Sequence, residues 1–393
     1  MIISNVKGLT NFLAIVLLIL CTYGCIEPIE IETKTYESAL VIEGTLTNES
    51  SHQEILLSRT YELEENEASK ETNAQVQVLD NSNVYDFEEV EPGRYVSVEP
   101  FQAVSGKAYI LEVTTSDGNK YSSEPEQLPQ TPGLLDLHAE RISYGNEDGV
   151  AVFVNVDGAG EKSAYYLFEF EETFKIVSPF DFDRDLVYRN GQFVEVPKTR
   201  EEEICYVTEP SQEILLANTN SQSSNDLNEF LVRFIDGENY RTAHRYSILV
   251  RQYSISVDAF SYYETLKDFS DSESIFSETQ LGHINGNLNS LSDPNEKVIG
   301  FFSVAEVNAQ RLFFDFEEFY SRKEFIPDSH ISLCEVLAPP INTEAEIRAL
   351  KDQIKRGSVK YIGMEVDQHL FVRARCVDCT FFGTNVPPDF WEE

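Results

Sequence analysis

The sequence predicts a mostly β fold, and three observations favour it. Short segments in which apolar and polar side chains alternate recur along most of the chain, as they do in half-buried strands. Turn-forming residues separate these segments at roughly the spacing of strands in β-sandwiches. Hydrophobic residues make up 41% and aromatic residues 12% of the 393 residues, which is enough apolar surface for packed cores.

Residues 1–24 are predicted to form the signal peptide of an exported lipoprotein. Lys7 precedes the apolar run FLAIVLLILC, and the small Gly24 stands directly before Cys25. The run is shorter than the ~20 residues that a membrane-spanning helix needs. A small residue before a cysteine at the end of such a leader is typical of a cysteine that is kept and lipidated. We therefore expect lipidation at Cys25, with an ordinary cleaved signal peptide as the alternative.

The segment 25–35 (CIEPIEIETKT) is predicted to be an acidic tether between the lipid and the first folded domain. Acidic residues after a lipidated cysteine are either a solvated linker or a sorting signal, and both interpretations stay open.

Residues 36–128 are predicted to form an immunoglobulin-like (Ig-like) β-sandwich. Alternate residues from Tyr109 to Val113 fall on one apolar face, and Asp117-Gly118 has the composition of a hairpin turn. The predicted strands are ALVIEGTL, QEILLSRTY, AQVQVLD, GRYVSVE, KAYILEVTTS and NKYSSE.

A second, larger β-rich domain is predicted for residues 134–393. The preceding segment SEPEQLPQTPG cannot continue a sheet because its prolines lack amide donors. The further predicted strands are AVFVNVDG, AYYLFEFEET, NEFLVRFIDG, RYSILVRQYSIS, KVIGFFSVAEV and RLFFDFEEFY. In the second of these, Tyr166, Phe168 and Phe170 share the face that we expect in the core, although an aromatic partner surface is the alternative.

Two helices are predicted in this second domain, at 258–269 and 343–356. In the first, Phe260, Tyr263 and Leu266 recur with helical periodicity. The second begins with a capping box formed by Thr343 and Glu346 and ends at a glycine.

Four cysteines remain after Cys21 leaves with the leader and Cys25 takes the lipid: Cys205, Cys334, Cys376 and Cys379. An even number in an exported protein predicts two disulfides, and the sequence leaves all three pairings open. A zinc site is not expected, because the CVDC motif has no second CxxC pair to complete four ligands.

The charge and the motifs exclude several function classes. The formal net charge is −38, and such a surface repels nucleic acid and anionic lipid. The histidines form no HExxH or HxH pair, and no GxSxG, Walker or GxGxxG motif is present. Asp181, Asp183 and Asp185 have the first spacing of a calcium loop but lack its glycine and its closing glutamate. We therefore expect no enzyme activity, no cofactor and no metal.

Three stretches of the chain resemble a family of exported lipoproteins of unknown function that is common in Bacteroidota. The first is Cys25 followed by an Ig-like or carboxypeptidase-regulatory-like sandwich. The second is QLGHINGNLNSLSDPNEKVIGFFSV. The third is the tail RCVDCTFFGTNVPPDFW, whose Cys376, Cys379, Gly383, Thr384, Asn385, Pro387, Pro388, Phe390 and Trp391 resemble the family's ending.

The resemblance implies an accessory role beside a nutrient receptor, because such genes often lie next to those of TonB-dependent outer-membrane receptors. We expect a lipid-anchored binding protein of the outer membrane, on its cell-surface or periplasmic side, with such a receptor as its partner. A structural or adhesive surface protein without a transporter is the alternative, and a hydrolase is a third possibility that would need converging carboxylates. The tail's Trp391 is either a plug for the second domain or a partner contact.

Overall fold

In the computed structural model, residues 38–61, 68–129, 134–157, 164–220, 226–271, 284, 286–323, 327 and 329–393 are described. Apart from Ser38 and Tyr61, they belong to one compact unit that spans Ala39–Thr60 and Glu67–Glu393. The predicted leader, Cys25 and the acidic tether lie outside the described residues.

Strands dominate the described residues, and the prediction of a mostly β fold is confirmed. The strands are β1 (Leu40–Thr47), β2 (Glu54–Arg59), β3 (Gln75–Leu79), β4 (Val84–Glu91), β5 (Arg94–Ser97), β6 (Ala108–Thr114), β7 (Lys120–Ser123), β8 (Glu126–Gln127), β9 (Leu134–Tyr144), β10 (Glu147–Asp157), β11 (Tyr165–Val177), β12 (Arg184–Arg189), β13 (Gln192–Pro197), β14 (Ile204–Pro210), β15 (Leu215–Asn218), β16 (Leu227–Asp236), β17 (Arg245–Ser254), β18 (Leu288–Ser290), β19 (Val298–Asp315), β20 (Val359–Glu365) and β21 (Gln368–Arg373). The helices are α1 (Val257–Asp271), α2 (Phe316–Phe319) and α3 (Glu344–Lys355).

One long strand, β19, organises the largest sheet. Its first half pairs in parallel with β1, from Val298 opposite Leu40 to Ala305 opposite Thr47. Its second half pairs antiparallel with β17. The sheet therefore runs in the order β14-β11-β17-β19-β1-β2-β5-β4-β3-β6-β7-β18. Separate smaller sheets are β16-β10-β9, β12-β13 and β20-β21.

The first core lies among β1 to β7, and residues from much later in the chain complete it. Leu40, Ile42 and Tyr109 are fully buried there. Leu288 of β18 and Phe302 of β19 belong to the same core. The sandwich-like region predicted for 36–128 therefore takes two further strands from residues 288–305, while its Ig-like character stays a prediction.

The second core lies between the three-stranded sheet and the β14-β11-β17-β19 part of the large sheet. Tyr166, Phe168 and Phe170 of β11 point into it, as their alternation predicts. Val152 and Val154 of β10 face them from the other sheet. The opposite side of the β11-β17-β19 layer, here called the outer face, carries Glu169, Glu171 and other polar residues between the buried positions.

Helix α1 covers one end of this outer face. Its Phe260 ring lies 5.1 Å from the ring of Tyr165 on β11, and Tyr263 and Leu266 pack on the same small apolar cluster. At the other helix, α3, the Thr343 hydroxyl accepts a hydrogen bond from the Glu346 amide while the Glu346 side chain bonds back to the Thr343 amide. Leu350 of α3 is buried against β12, β20 and β21.

The second family-like stretch holds β19 in place through contacts with the backbone of β19. The Asn287 side chain accepts a hydrogen bond from the Phe302 amide at 2.9 Å and donates one to the Phe302 carbonyl at 2.8 Å. Gly286 packs directly on Gly300, so a Cβ at residue 286 would come within 1.6 Å of the Gly300 carbonyl oxygen. Gly286 and Asn287 therefore fix the position of β19.

Candidate functional site

Two disulfides crosslink the C-terminal region, as the sequence predicts. Cys205 of β14 is bonded to Cys379, across 174 residues, and Cys334 is bonded to Cys376, across 42 residues. The two cysteines of the CVDC motif are thus bonded to different partners and not to each other. The two disulfides link the segment that follows β21 to two places: to the large sheet at Cys205 and to the segment around Cys334.

A short capped turn orients these two cysteines. The Asp378 carboxylate accepts hydrogen bonds from the amide and the hydroxyl of Thr380, and it lies 3.5 Å from the Lys360 ammonium. Burial alone would raise the pKa of Asp378, but the hydrogen bonds from Thr380 and the charge of Lys360 hold it below its ordinary value. The carboxylate form that caps the turn is therefore favoured.

The tail after Cys379 runs along the edge strand β14. Thr384 and Tyr206 exchange two backbone hydrogen bonds, at 2.8 and 3.0 Å. The Asn385 side chain donates to the Glu201 carbonyl at 2.8 Å. Gly383 passes so close that a Cβ there would lie 2.4 Å from the Tyr206 carbonyl oxygen. The Gly-Thr-Asn sequence therefore protects part of an otherwise open sheet edge.

The end of the tail folds onto the outer face. The Trp391 ring stands edge-on to Tyr206 and Phe313, at 4.9 and 5.9 Å. The Arg311 guanidinium lies 3.5 Å from the centre of the Phe390 ring, a cation–π contact. After Pro387, the Trp391 amide donates to the Pro388 carbonyl at 2.9 Å and closes a turn. Trp391 is half-buried on the outside of the sheet and does not reach the core between the sheets.

Five large apolar side chains on the disulfide-linked segments remain exposed. We call them the C-terminal apolar patch: Leu333, Val336, Phe381, Phe382 and Val386. The Cys334–Cys376 bond and the contact between the Phe382 and His330 rings, at 5.1 Å, bring the two segments together. Phe381 and Phe382 lie within the family-like tail, but the sequence does not predict that their side chains are exposed. Alternation of apolar and polar residues indicates exposure only within strands, and these two residues lie outside them.

The outer face also holds a cleft of about 450 Å³ between α1 and the loop at 210–214. Its lining includes Glu169, Arg251 and Tyr253 from the sheet and Tyr263 from α1. The Tyr253 hydroxyl donates to Glu169 at 3.0 Å. Burial raises the pKa of Tyr253, and the Glu169 charge raises it further, so Tyr253 stays a neutral donor. We call this the outer-face cleft.

No group of three His, Cys, Asp or Glu side chains in the described part of the chain is placed to hold a metal ion. No helix within the described ranges is long and apolar enough to cross a membrane.

Comparison with known protein families gives one match, to a domain of unknown function, DUF4249, over residues 26–311. The chain belongs to the DUF4249 family. The DUF4249 match includes the predicted sandwich without Cys25 and the second family-like stretch, and it ends at Arg311. The tail with Cys376 and Cys379 lies beyond the match, and so does Cys334.

Comparisons with individual proteins add little to the DUF4249 assignment. No significant match is found among curated proteins. Among solved structures, the chain is similar to a cycloalternan-degrading enzyme from Trueperella pyogenes, alone and in complex with isomaltose, at 12% identity and TM-scores of 0.16 and 0.15. These alignments cover 67% of this chain and 31% of the enzyme, so the chain spans about a third of the enzyme's length. Similarity at this level carries no argument about function.

Proposed function

We propose that this protein is an exported, lipid-anchored binding protein of the outer membrane that docks to a TonB-dependent receptor through its C-terminal apolar patch. The observation that carries the proposal is the concentration of exposed apolar side chains on two segments that the Cys334–Cys376 disulfide joins. Leu333, Phe381 and Val386 are 75%, 61% and 64% exposed. Single exposed apolar residues are ordinary, but a cluster of them is typical of an interaction site.

The two disulfides support docking because they hold these two segments in one conformation. A partner that binds a pre-ordered surface loses less conformational entropy than one that must order a loop. Aromatic residues such as Phe381 and Phe382 are enriched at the centres of protein–protein interfaces. Two disulfides also favour an oxidising compartment outside the cytoplasm.

The charge of the chain supports a protein partner with a basic face. A net charge of −38 speeds association with a positively charged surface and suppresses contact with acidic ones. Lipid on Cys25 would hold the protein at the membrane where such a receptor lies, and Cys25→Ser should then release it from membranes.

The experiment is affinity capture of the tagged protein from its native outer membrane in mild detergent, followed by mass spectrometry. A stoichiometric TonB-dependent receptor should be recovered with the wild type and with the control Val84→Ser, which changes an exposed apolar residue on β4. It should be lost with Phe381→Ser/Val386→Ser, which changes two side chains that are 61% and 64% exposed. The melting temperature of this variant should remain that of the wild type. Recovery of the protein alone, with Cys25-dependent membrane retention, would instead favour the structural or adhesive alternative.

A further inference from the structure

The outer-face cleft has the size and position of a ligand site. Its volume of about 450 Å³ lies within the range typical of small-molecule pockets. Its floor is a rigid sheet, since β11 and β17 are paired along nine residues. One wall is α1, fixed by Phe260 against Tyr165, and the opposite end of the same face is covered by the tail through Phe390 and Trp391. The cleft is the part of the face between them.

Arg251 supplies a positive charge on the floor of the outer-face cleft. Arg233, Arg241, Arg245 and Arg311 of the same domain are half-buried, and each forms an ion pair with a carboxylate. Arg251 is also half-buried, yet its side chain makes no hydrogen bond or ion pair with any residue of the described ranges. A guanidinium presents its donors in a fixed fork that fits a carboxylate. Arg251 therefore offers a place for a ligand carboxylate.

Carboxylates stand beside this guanidinium. Glu169 lies directly opposite Arg251 in the β11-β17 register, a position that separates Cβ atoms by roughly 5 Å. The hydrogen bond from Tyr253 uses one Glu169 oxygen, Oε2, and leaves the other available. Glu171 and Glu213 add two further carboxylates to the lining. The cleft thus holds acceptors for a cationic group close to a donor fork for an anionic one.

We infer that the outer-face cleft binds a small zwitterion of the amino-acid or short-peptide class, with its carboxylate on Arg251 and its ammonium on Glu169. A purely anionic ligand would face three glutamates, and a purely cationic one would leave Arg251 without a partner. Ile214 and Ile255 supply apolar surface for a ligand side chain. The site shares no residue with the C-terminal apolar patch, so it is independent of receptor docking.

Saturation-transfer NMR with a synthetic library of tripeptides that have free termini tests this inference. The wild type should give saturable signals, and matched libraries that are N-acetylated or C-amidated should bind about tenfold more weakly. Arg251→Gln should weaken binding of the free peptides but not of the C-amidated ones. Glu169→Gln, whose amide oxygen can still accept from Tyr253, should weaken binding of the free peptides but not of the N-acetylated ones.

The control is Arg189→Gln, an exposed arginine on β12, which should bind like the wild type. All variants should keep the wild-type melting temperature, because Arg251 and Glu169 form no ion pair with each other in the described structure. No saturable binding of the free library, equal binding of the capped libraries, or unchanged binding by Arg251→Gln would each overturn the inference. Receptor capture should be unaffected by either cleft variant, so the two proposals fail separately.

Discussion

Glu126 is a buried carboxyl group at the junction of β8 with the loop that carries Asn287. Its side chain accepts a hydrogen bond from Asn287 at 3.4 Å. Burial raises the pKa of Glu126 to about 7, and the nearby negative charges of Asp258 and Glu124 also raise it. At neutral pH this group is therefore divided between its acid and carboxylate forms.

Glu126→Gln should flatten the pH dependence of stability. A carboxyl whose pKa is raised on folding binds more protons in the folded chain, so stability falls as pH rises from the unfolded pKa of about 4.5 towards 7. The variant removes this loss and should be more stable at pH 8 by on the order of 1–2 kcal/mol, after allowance for solvent screening. Urea denaturation between pH 4.5 and 8 measures it, with the exposed Glu88→Gln as control; parallel curves for Glu126→Gln and wild type would contradict the assignment.

Gly300 is the position in β19 where a side chain is least tolerable. Its φ is +123°, and a Cβ there would lie 1.8 Å from the Ile42 carbonyl oxygen. Gly300→Ala should therefore lower the free energy of unfolding by roughly 2–4 kcal/mol. Gly118 has a similar φ of +91° but open space around it, so Gly118→Ala should cost only about 1 kcal/mol. Equal urea midpoints for the two variants would mean that the close approach to β1 is not maintained.

The sequence predicts well which face of a strand each side chain lies on. It does not predict the contacts between segments that are far apart in the chain. The sequence predicts that Tyr166, Phe168 and Phe170 lie on the core face, because every second side chain of a strand faces the same way. The capping box of α3 is similarly local. The pairing of β1 with β19, the disulfide partners and the exposure of Phe381 depend on residues far apart in the chain. No local pattern encodes them.

The two disulfides should contribute unequally to stability. In the chain-entropy model, a crosslink across 174 residues stabilises by about 5 kcal/mol and one across 42 residues by about 4 kcal/mol. Cys205→Ser/Cys379→Ser should therefore lower the melting temperature more than Cys334→Ser/Cys376→Ser. The reduced wild type should melt below both variants. The reverse order would show that local contacts around residue 334 outweigh loop length.

The C-terminal segment has three separate structural roles. It protects the β14 edge through Thr384, covers the outer face through Trp391, and presents Phe381 outward. Removing Trp391 should thus affect stability, whereas removing Phe381 should affect partner binding alone. Substitutions of the exposed Phe381 and Val386 therefore report on partner binding without a change in stability.

At the scale of the described unit, β19 links the two cores, because Phe302 belongs to the first core and Phe314 to the second. A fragment of residues 36–128 should therefore not unfold cooperatively, because it lacks β18 and the parallel partner of β1. A fragment in which a flexible linker joins 36–128 to 286–306 is the matched control and should regain a cooperative urea transition. Cooperative unfolding of 36–128 alone would show that the first domain is complete without β19.

On the proposed export route, the parallel pairing of β1 with β19 would also set the order in which parts of the chain can fold. Thr45 on β1 hydrogen-bonds Ser303 on β19 across 258 residues, so in such export the second strand of that pair would cross the inner membrane long after the first. Until then the edge of β1 is open to other chains. Strand β1 would emerge early and would lack its partner on this edge until β19 follows, so we expect periplasmic chaperones to be needed during that interval. Pulse-labelled chains stopped before residue 298 should be protease-sensitive, and full-length chains should be resistant.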